Sequence, residues 1–361
     1  MAISRVVLFL VGYAIASASP IYTVVDVGGT SAYSVNDSGA VAGVLLSNGQ
    51  QTGFLGSQTG SQFYSPEPFG SESVASGINN SGQVAETILG NGGTHGVVWT
   101  NGIMRDLGNG TSASGINDAG RVAGGDGQAF VSGPSGLQNL GVLPDGDWST
   151  GTAINGQGAV TGYSDIGNGR FEAFLWIPGG ALMPLGTLGG GDSYGTGINA
   201  RNEVAGYGTT RSGYTHAFGG TPGDLQDLGT LGGTSSYAYD INDSGVIVGA
   251  SYVENGETHA FAYLNGVMVD LNTLIPGGSG WDLLSAFGIN DRGQIAGEGR
   301  FDGQLQAFRL DPASFAATSR LTIAAVVVPE PATPGLMVVG VLALAWLRRR
   351  LPVTRNSRLQ I

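Results

Sequence analysis

Hydrophobic and polar positions alternate along most of this chain over short runs, and Gly, Asn and Asp cut the runs apart. Between residues 237 and 271 the runs are YAYDI, VIVGASYV, THAFAYL and VMVDL. They are separated by Asn242-Asp243-Ser244-Gly245, by the polar turn ENGE and by Asn265-Gly266. Alternation of period two between such turn residues predicts four consecutive β-strands, a to d, joined as hairpins. Asn and Asp hydrogen-bond their own backbone in a turn and Gly supplies positive φ, so Asn-Asp-x-Gly is a turn phrase by its chemistry alone.

The phrase recurs. SVNDSGAVAG, GINNSGQVAE, GINDAGRVAG, AINGQGAVTG, GINARNEVAG, DINDSGVIVG and GINDRGQIAG centre on Asn36, Asn79, Asn117, Asn155, Asn199, Asn242 and Asn290, at spacings of 43, 38, 38, 44, 43 and 48 residues. Four strands in roughly 40–45 residues is the period of a β-propeller blade. The core of strand c also occurs seven times: GFLG at 53, GVVW at 96, AFVS at 129, AFLW at 173, AFGG at 217, AFAY at 260 and AFRL at 307. Six d strands follow a c strand: FYSPEPFG, IMRDLG, LQNLG, LMPLG, LQDLG and MVDLN. The seventh, YTVVDVGGTS at 22–31, stands ahead of the first a strand and matches the pattern of LQDLGTLGGTS at 225–235, whereas the last unit ends after AFRLDP with no d strand. An open blade would expose a strand edge, which invites aggregation. The pattern therefore predicts an all-β fold over 20–312, a seven-bladed β-propeller of four-stranded blades closed by the N-terminal strand. An open β-solenoid explains the repeat but not the displaced first strand, and LTIAAVVV at 321–328 competes for the same edge.

Composition agrees with many tight turns. Of 361 residues 65 are Gly, yet 41% are hydrophobic, which argues against disorder. Charged residues make up only 12%, so the surface is Ser, Thr, Asn, Gln and Gly, as suits a secreted bacterial protein better than a cytosolic enzyme. Within 20–328 nine Arg face 26 acids, a balance of −17. Such a body repels nucleic acid and anionic membrane surfaces. There is no Cys, hence no disulfide framework and no thiol chemistry.

The ends carry addresses. MAISRVVLFLVGYAIASAS has Arg5, an apolar run over 6–16 and then small residues, the order of a secretory signal peptide over 1–18. Ala16 and Ala18 place cleavage after Ala18, since cleavage after Ser19 would set Pro20 at the following position. After a linker at 313–328, the chain reads PEPATPGLMVVGVLALAWLRRR over 329–350. Its apolar run, 335–347, would make a transmembrane helix about 20 Å long, short against a hydrocarbon core of about 30 Å. The arginines after it keep the body outside the cytoplasm.

In this order of parts the end resembles the PEP-CTERM sorting signal. The resemblance implies processing by an exosortase, a membrane-embedded, transpeptidase-like enzyme of Gram-negative bacteria. Pro329, Glu330 and Pro331 match the recognition motif, and Arg348, Arg349 and Arg350 the basic stop. A basic tail, 351–361, follows and is longer than such signals usually carry. The repeats resemble the HAF repeat of bacterial extracellular proteins. His216-Ala217-Phe218 and His259-Ala260-Phe261 are intact and His95-Gly96-Val97 is degenerate. DLGTLGG at 227–233 and PLGTLGG at 184–190 accompany them. This resemblance implies an exported repeat protein with no assigned biochemical role.

Candidate chemistry is sparse. The three His share one repeat position, so in a ring they stand apart and predict strand-start hydrogen bonds to a neighbouring turn, not a zinc or catalytic site. The Asn-Asp turns are too short to enclose calcium and lack a bidentate Glu. GxxxxGK[ST], GxSxG and HExxH are absent, and there is no Lys to hold phosphate. Asn36, Asn79 and Asn109 stand in glycosylation triplets but read as turns. Asp145, Asp147 and Trp148 break the repeat; they form a polar inter-blade turn, or a ligand loop that holds a cation or stacks on a sugar. No cofactor, metal or catalytic residue is expected. Because a propeller site is assembled from several blades, a polysaccharide lyase or hydrolase with acids lining the axial channel is the alternative. The reading is an exported monomer, anchored in the inner membrane through 335–347 before processing and then at the cell surface or in the matrix. There it serves as a non-catalytic binding or structural module. Its partners are an exosortase-like enzyme and an extracellular polysaccharide or surface protein, with no nucleic acid.

Overall fold

In the computed structural model the described residues are 21–57, 60–63, 68–90, 92–134 and 136–313. They form 28 strands in seven four-stranded antiparallel sheets. Blades 1 to 6 are each built from consecutive strands, within 31–63, 72–109, 112–141, 149–186, 189–227 and 232–270. Blade 7 takes three strands from 281–312, and its outer strand is Tyr22–Asp26, with Tyr22 opposite Pro312 and Asp26 opposite Phe308. All seven innermost strands line one central channel of about 450 Å³. The chain is a seven-bladed β-propeller closed by its own N-terminal strand, as the repeat count and the displaced strand predict. The compact unit ends at Ala313. The competing strand 321–328 lies outside the described residues. So do the signal peptide with Ala18, the rest of the linker, the sorting region with its helix, and the basic tail. Among the described residues no helix is long and apolar enough to cross a membrane.

One strand needs correction. The outer strand of blade 1 is Gly60–Phe63 rather than FYSPEPFG, and it pairs with Gln50–Ser57. Of FYSPEPFG only Phe63 falls in this strand, and 64–67 lie outside the described residues.

The core lies between blades. In six blades a fully buried Phe of strand c (Phe54, Phe130, Phe174, Phe218, Phe261 or Phe308) fills the interlayer, each such side chain contributing about 1.5–3 kcal/mol on burial. Most of these rings lie on a glycine of strand b. At Gly43, Gly124, Gly206, Gly249 and Gly297 a Cβ would strike both the innermost strand's carbonyl and the Phe ring. This is why VAG and AF recur together. Blade 2 departs from the rule twice: Glu86 replaces the glycine and Val97 the Phe. The Glu86 carboxyl takes the vacated space and abuts Gly53 of blade 1, where the other blades carry Ala or Gly. Glu86 Oε2 accepts from the Trp99 indole N–H, while Oε1 has no hydrogen-bond partner among the described residues. Desolvation pushes the Glu86 carboxyl up, against the downward pull of Ser73 and Trp99.

Candidate functional site

Call the face where the innermost strands begin the upper face, and the face where they end the lower. The repeated Asn closes the lower side of the ring. Its Oδ1 accepts two backbone N–H groups; for Asn117 these come from Ala119 and Arg121, each at 3.1 Å. Its Nδ2 donates to the carbonyl of the equivalent Asn in the next blade. The chain of bonds runs from Asn36 to Asn79 (3.0 Å), Asn117 (3.0 Å), Asn155 (3.0 Å), Asn199 (2.9 Å), Asn242 (3.3 Å), Asn290 (3.1 Å) and back to Asn36 (2.8 Å). The turn reading of this residue is correct but covers only half its bonding, and Asn36 and Asn79 are buried in the ring.

One residue further on, Asp37, Asn80, Asp118, Asp243 and Asp291 rim the lower mouth. They also bond between blades: Asp37 N–H donates to Asn80 Oδ1 at 2.8 Å, Asn80 N–H to Asp118 at 2.9 Å and Asp243 N–H to Asp291 at 2.8 Å. Burial, Asp243 and Asp37 push the Asp291 carboxyl up. Inside the channel Asp240 accepts from Ile241 N–H at 2.8 Å and, across the blade boundary, from Ile289 N–H at 2.9 Å. Burial pushes it up to about 7, although the residue is only half-buried where it lines the channel. Ser34 plays the same bridging part between blades 1 and 2, accepting from Ile78 N–H at 3.3 Å. Among the described residues no three His, Cys, Asp or Glu converge as a metal site.

The His residues do start strand c, but their partners are not turns. His95 Nδ1 pairs with Asp106 at 3.1 Å, His216 with Asp227 at 2.9 Å and His259 with Asp270 at 2.7 Å, each an Asp of strand d in the same blade. The same carboxylates accept N–H groups two residues on, from Gly108 at 2.9 Å and Gly229 at 2.8 Å. The phrases HAF and DLG are thus two halves of one clamp that fastens the outermost strand, and all three His are held in it.

The candidate site lies on the upper face at blades 4 and 5. Asp145, Asp147 and Trp148 fall in the connection between Gly136–Gly141 and Ser149–Ile154. Trp148 stays 36% exposed. With Tyr163, Phe171 and Tyr194 it walls a cleft of about 530 Å³, and the carboxylates of Asp147 and Asp165 stand beside the rings. Asp145 does not line the cleft; it occupies a left-handed turn position, with φ 67°. Ring centroids lie 5.5 Å apart for Trp148 and Tyr163, 6.2 Å for Trp148 and Phe171, and 4.9 Å for Tyr163 and Tyr194. The series continues around the ring through Tyr207, stacked on Tyr194 at 5.1 Å, to Tyr237 of blade 6 at 5.1 Å. Burial and the neighbouring phenols push the Tyr207 hydroxyl up to about 12. In the channel wall Phe287 touches Tyr33 and Tyr239, at 5.2 and 5.1 Å.

Residues 327–350 match the model of the PEP-CTERM protein-sorting motif. The tail is a sorting signal. It includes Pro329, Glu330, Pro331 and the three arginines, and it makes the chain an exported, membrane-anchored precursor that an exosortase-like enzyme processes. No curated protein matches the chain. Among solved structures it is similar to YCF48 bound to D1 peptide (TM-score 0.53, 13% identity, covering 84% of this chain and 98% of that one). It is also similar to the β-propeller domain of the Trilobed protease from Pyrococcus furiosus (TM-score 0.51, 11% identity, 81% and 96%). At such identities the likeness shows the propeller fold alone. That domain is described as having an open velcro topology, whereas here Tyr22–Asp26 closes the last blade.

Sequence reasoning found Asp147 and Trp148 and missed Tyr163, Phe171, Tyr194 and Tyr207. A signal was available in the aligned repeats: VTGY and VAGY carry Tyr after the strand b glycine in two blades only.

Proposed function

We propose that this chain is an exported propeller of the HAF-repeat type in a Gram-negative bacterium, sorted to the cell surface by its tail, where it acts as a non-catalytic binding module. One observation carries the reading. The ring Asn and the three His are held in bonds that build the fold, while the aromatic cleft beside Trp148 serves no repeated packing role. A free apolar surface with a few polar groups is the usual make-up of a binding site. The competing reading, a polysaccharide lyase or hydrolase, draws on Asp240, whose raised carboxyl would suit an acid. Both its oxygens, however, accept backbone N–H groups, one from the adjacent Ile241 and one from Ile289 that joins blades 6 and 7.

Two measurements test the reading. Intact mass and cell fraction of the wild type are compared with a Pro329→Ala, Glu330→Ala, Pro331→Ala variant; sorting predicts that only the wild type loses its apolar tail. Purified protein is then added to cells lacking it. Saturable binding with no release of soluble sugar supports a binding module. Steady release that stops in Asp240→Asn would establish the enzyme instead.

A further inference from the structure

A binding role leaves the ligand open. Resting on that role, we propose that the cleft at blades 4 and 5 takes an uncharged chain of pyranose sugars. Trp148, Tyr163, Phe171 and Tyr194 supply the stacking surfaces, and Asp147 and Asp165 accept hydroxyl donors.

The first argument is asymmetry. Seven blades pose one packing problem seven times, and the fold answers it with the same residues wherever it can. The position after the strand b glycine is Tyr only in blades 4 and 5, as Tyr163 and Tyr207; elsewhere it is Val, Thr, Gly, Ala or Glu. Five residues before the ring Asn, Tyr occurs only in blades 5 and 6, as Tyr194 and Tyr237. Five of the seven blades close without an aromatic ring at each position, so closure does not require these rings. They nevertheless meet across the blade 4–5 and 5–6 boundaries.

The second argument is the chemistry of the rim. The Asp147 carboxylate and the Tyr163 and Tyr194 hydroxyls have no hydrogen-bond partner among the described residues. Asp165 keeps one oxygen on Gly167 N–H at 2.9 Å. The nearby cation, Arg170, is held on the Gly191 carbonyl at 3.0 Å, and the chain has no Lys. The cleft therefore offers aromatic faces, phenols and strong acceptors. Its ligand must bring an apolar face together with many donors. A pyranose has both, a C–H face and ring hydroxyls, and O–H to carboxylate bonds are among the strong ones. A proline-rich peptide also suits aromatic grooves, but it brings mainly carbonyl acceptors and few donors. An anionic polysaccharide would meet the Asp147 and Asp165 carboxylates, which outnumber the one guanidinium nearby, Arg170. Ring-on-ring contacts hold the side chains in place beforehand, so little rotamer freedom is lost on binding.

The test uses the full-length protein in native gels cast with dextran, laminarin, starch or galactomannan, all uncharged, or with alginate. Trp148→Ala, Tyr194→Ala and Asp147→Asn are run beside Tyr214→Ala, an exposed aromatic that is not part of the cleft. Circular dichroism confirms that each variant is folded. Retardation by at least one uncharged polysaccharide is expected, with none by alginate. Trp148→Ala should weaken it at least tenfold, Asp147→Asn several-fold and Tyr214→Ala not at all. The proposal falls if no uncharged polysaccharide retards the protein, if alginate does so equally, or if folded Trp148→Ala and Tyr194→Ala bind like wild type. Saturable binding to cells without retardation in any uncharged gel would overturn the sugar assignment and leave the binding role standing. The reverse pattern would overturn the role on that cell surface and keep the site.

Discussion

Replacing Asn117 by Asp changes one atom and interrupts the circle of amides. The two acceptor bonds from Ala119 and Arg121 survive, because Oδ1 remains. The donor to the Asn155 carbonyl, 3.0 Å away, becomes a second oxygen facing an oxygen. That carbonyl loses its side-chain donor, which costs about 1–3 kcal/mol for a buried group. A carboxylate held against a carbonyl in a buried position adds to this, for a total of about 2–4 kcal/mol at neutral pH. With a urea m-value of about 3 kcal/mol/M, the midpoint should fall by about 1 M. The pH dependence separates this account from a general loss of packing. A carboxyl forced into this place has a folded pKa above its unfolded value of about 4. The protonated form fits the fold, since its O–H can donate to Asn155. The difference between variant and wild type should therefore be small near pH 3.5 and grow as pH rises through the folded pKa. Urea unfolding of both proteins from about pH 3.5 to 8, followed by intrinsic fluorescence, reads it directly. Equal midpoints at pH 7, or a deficit that does not change with pH, would show that the amide circle does not fasten the ring.

Three further outcomes follow from the packing. Glu86 has its folded pKa raised by burial, so the stability it allows is full below the usual carboxylate range and is lost as pH rises; Glu86→Gln should gain on wild type as pH rises above that range, and a constant difference in midpoint would refute this. Gly249→Ala should cost about 2–3 kcal/mol by overpacking, because the new Cβ meets the Tyr237 carbonyl and the Phe261 ring; Gly266→Ala, at an open turn, is the comparison for positive φ alone. Removing residues 21–27 from the exported body should expose the Gln304–Pro312 edge and produce dimers or larger species by light scattering; a monodisperse monomer would mean that the first strand does not close the ring.

The aligned repeats carried the blade count, the strand order and the displaced closing strand, because turn chemistry and alternation are local and every blade repeats them. They carried the outer strand of blade 1 less well: its aromatic and proline letters, FYSPEPFG, drew the boundary past the real strand, Gly60–Phe63. Trp148 and Asp147 stood out because DGDW departs from the repeat. Tyr163 and Tyr194 did not, because each sits at an ordinary alternating position of its own strand.

What the sequence determined by itself is the sorting address at the C-terminal end, the all-β class and the seven-fold ring. Each of these comes from residues adjacent in the chain or recurring at one period. What only the tertiary structure decided is which side chains meet across a blade boundary. The amide circle joins residues 38 to 48 positions apart and returns from Asn290 to Asn36. Glu86 fills a gap left jointly by Val97 and by Gly53 of another blade. The cleft unites Trp148, ahead of blade 4, with Tyr194 of blade 5. Such pairings are set by closure of the ring, which fixes each blade's face against its neighbour's, and no local pattern encodes which residues are then left facing one another.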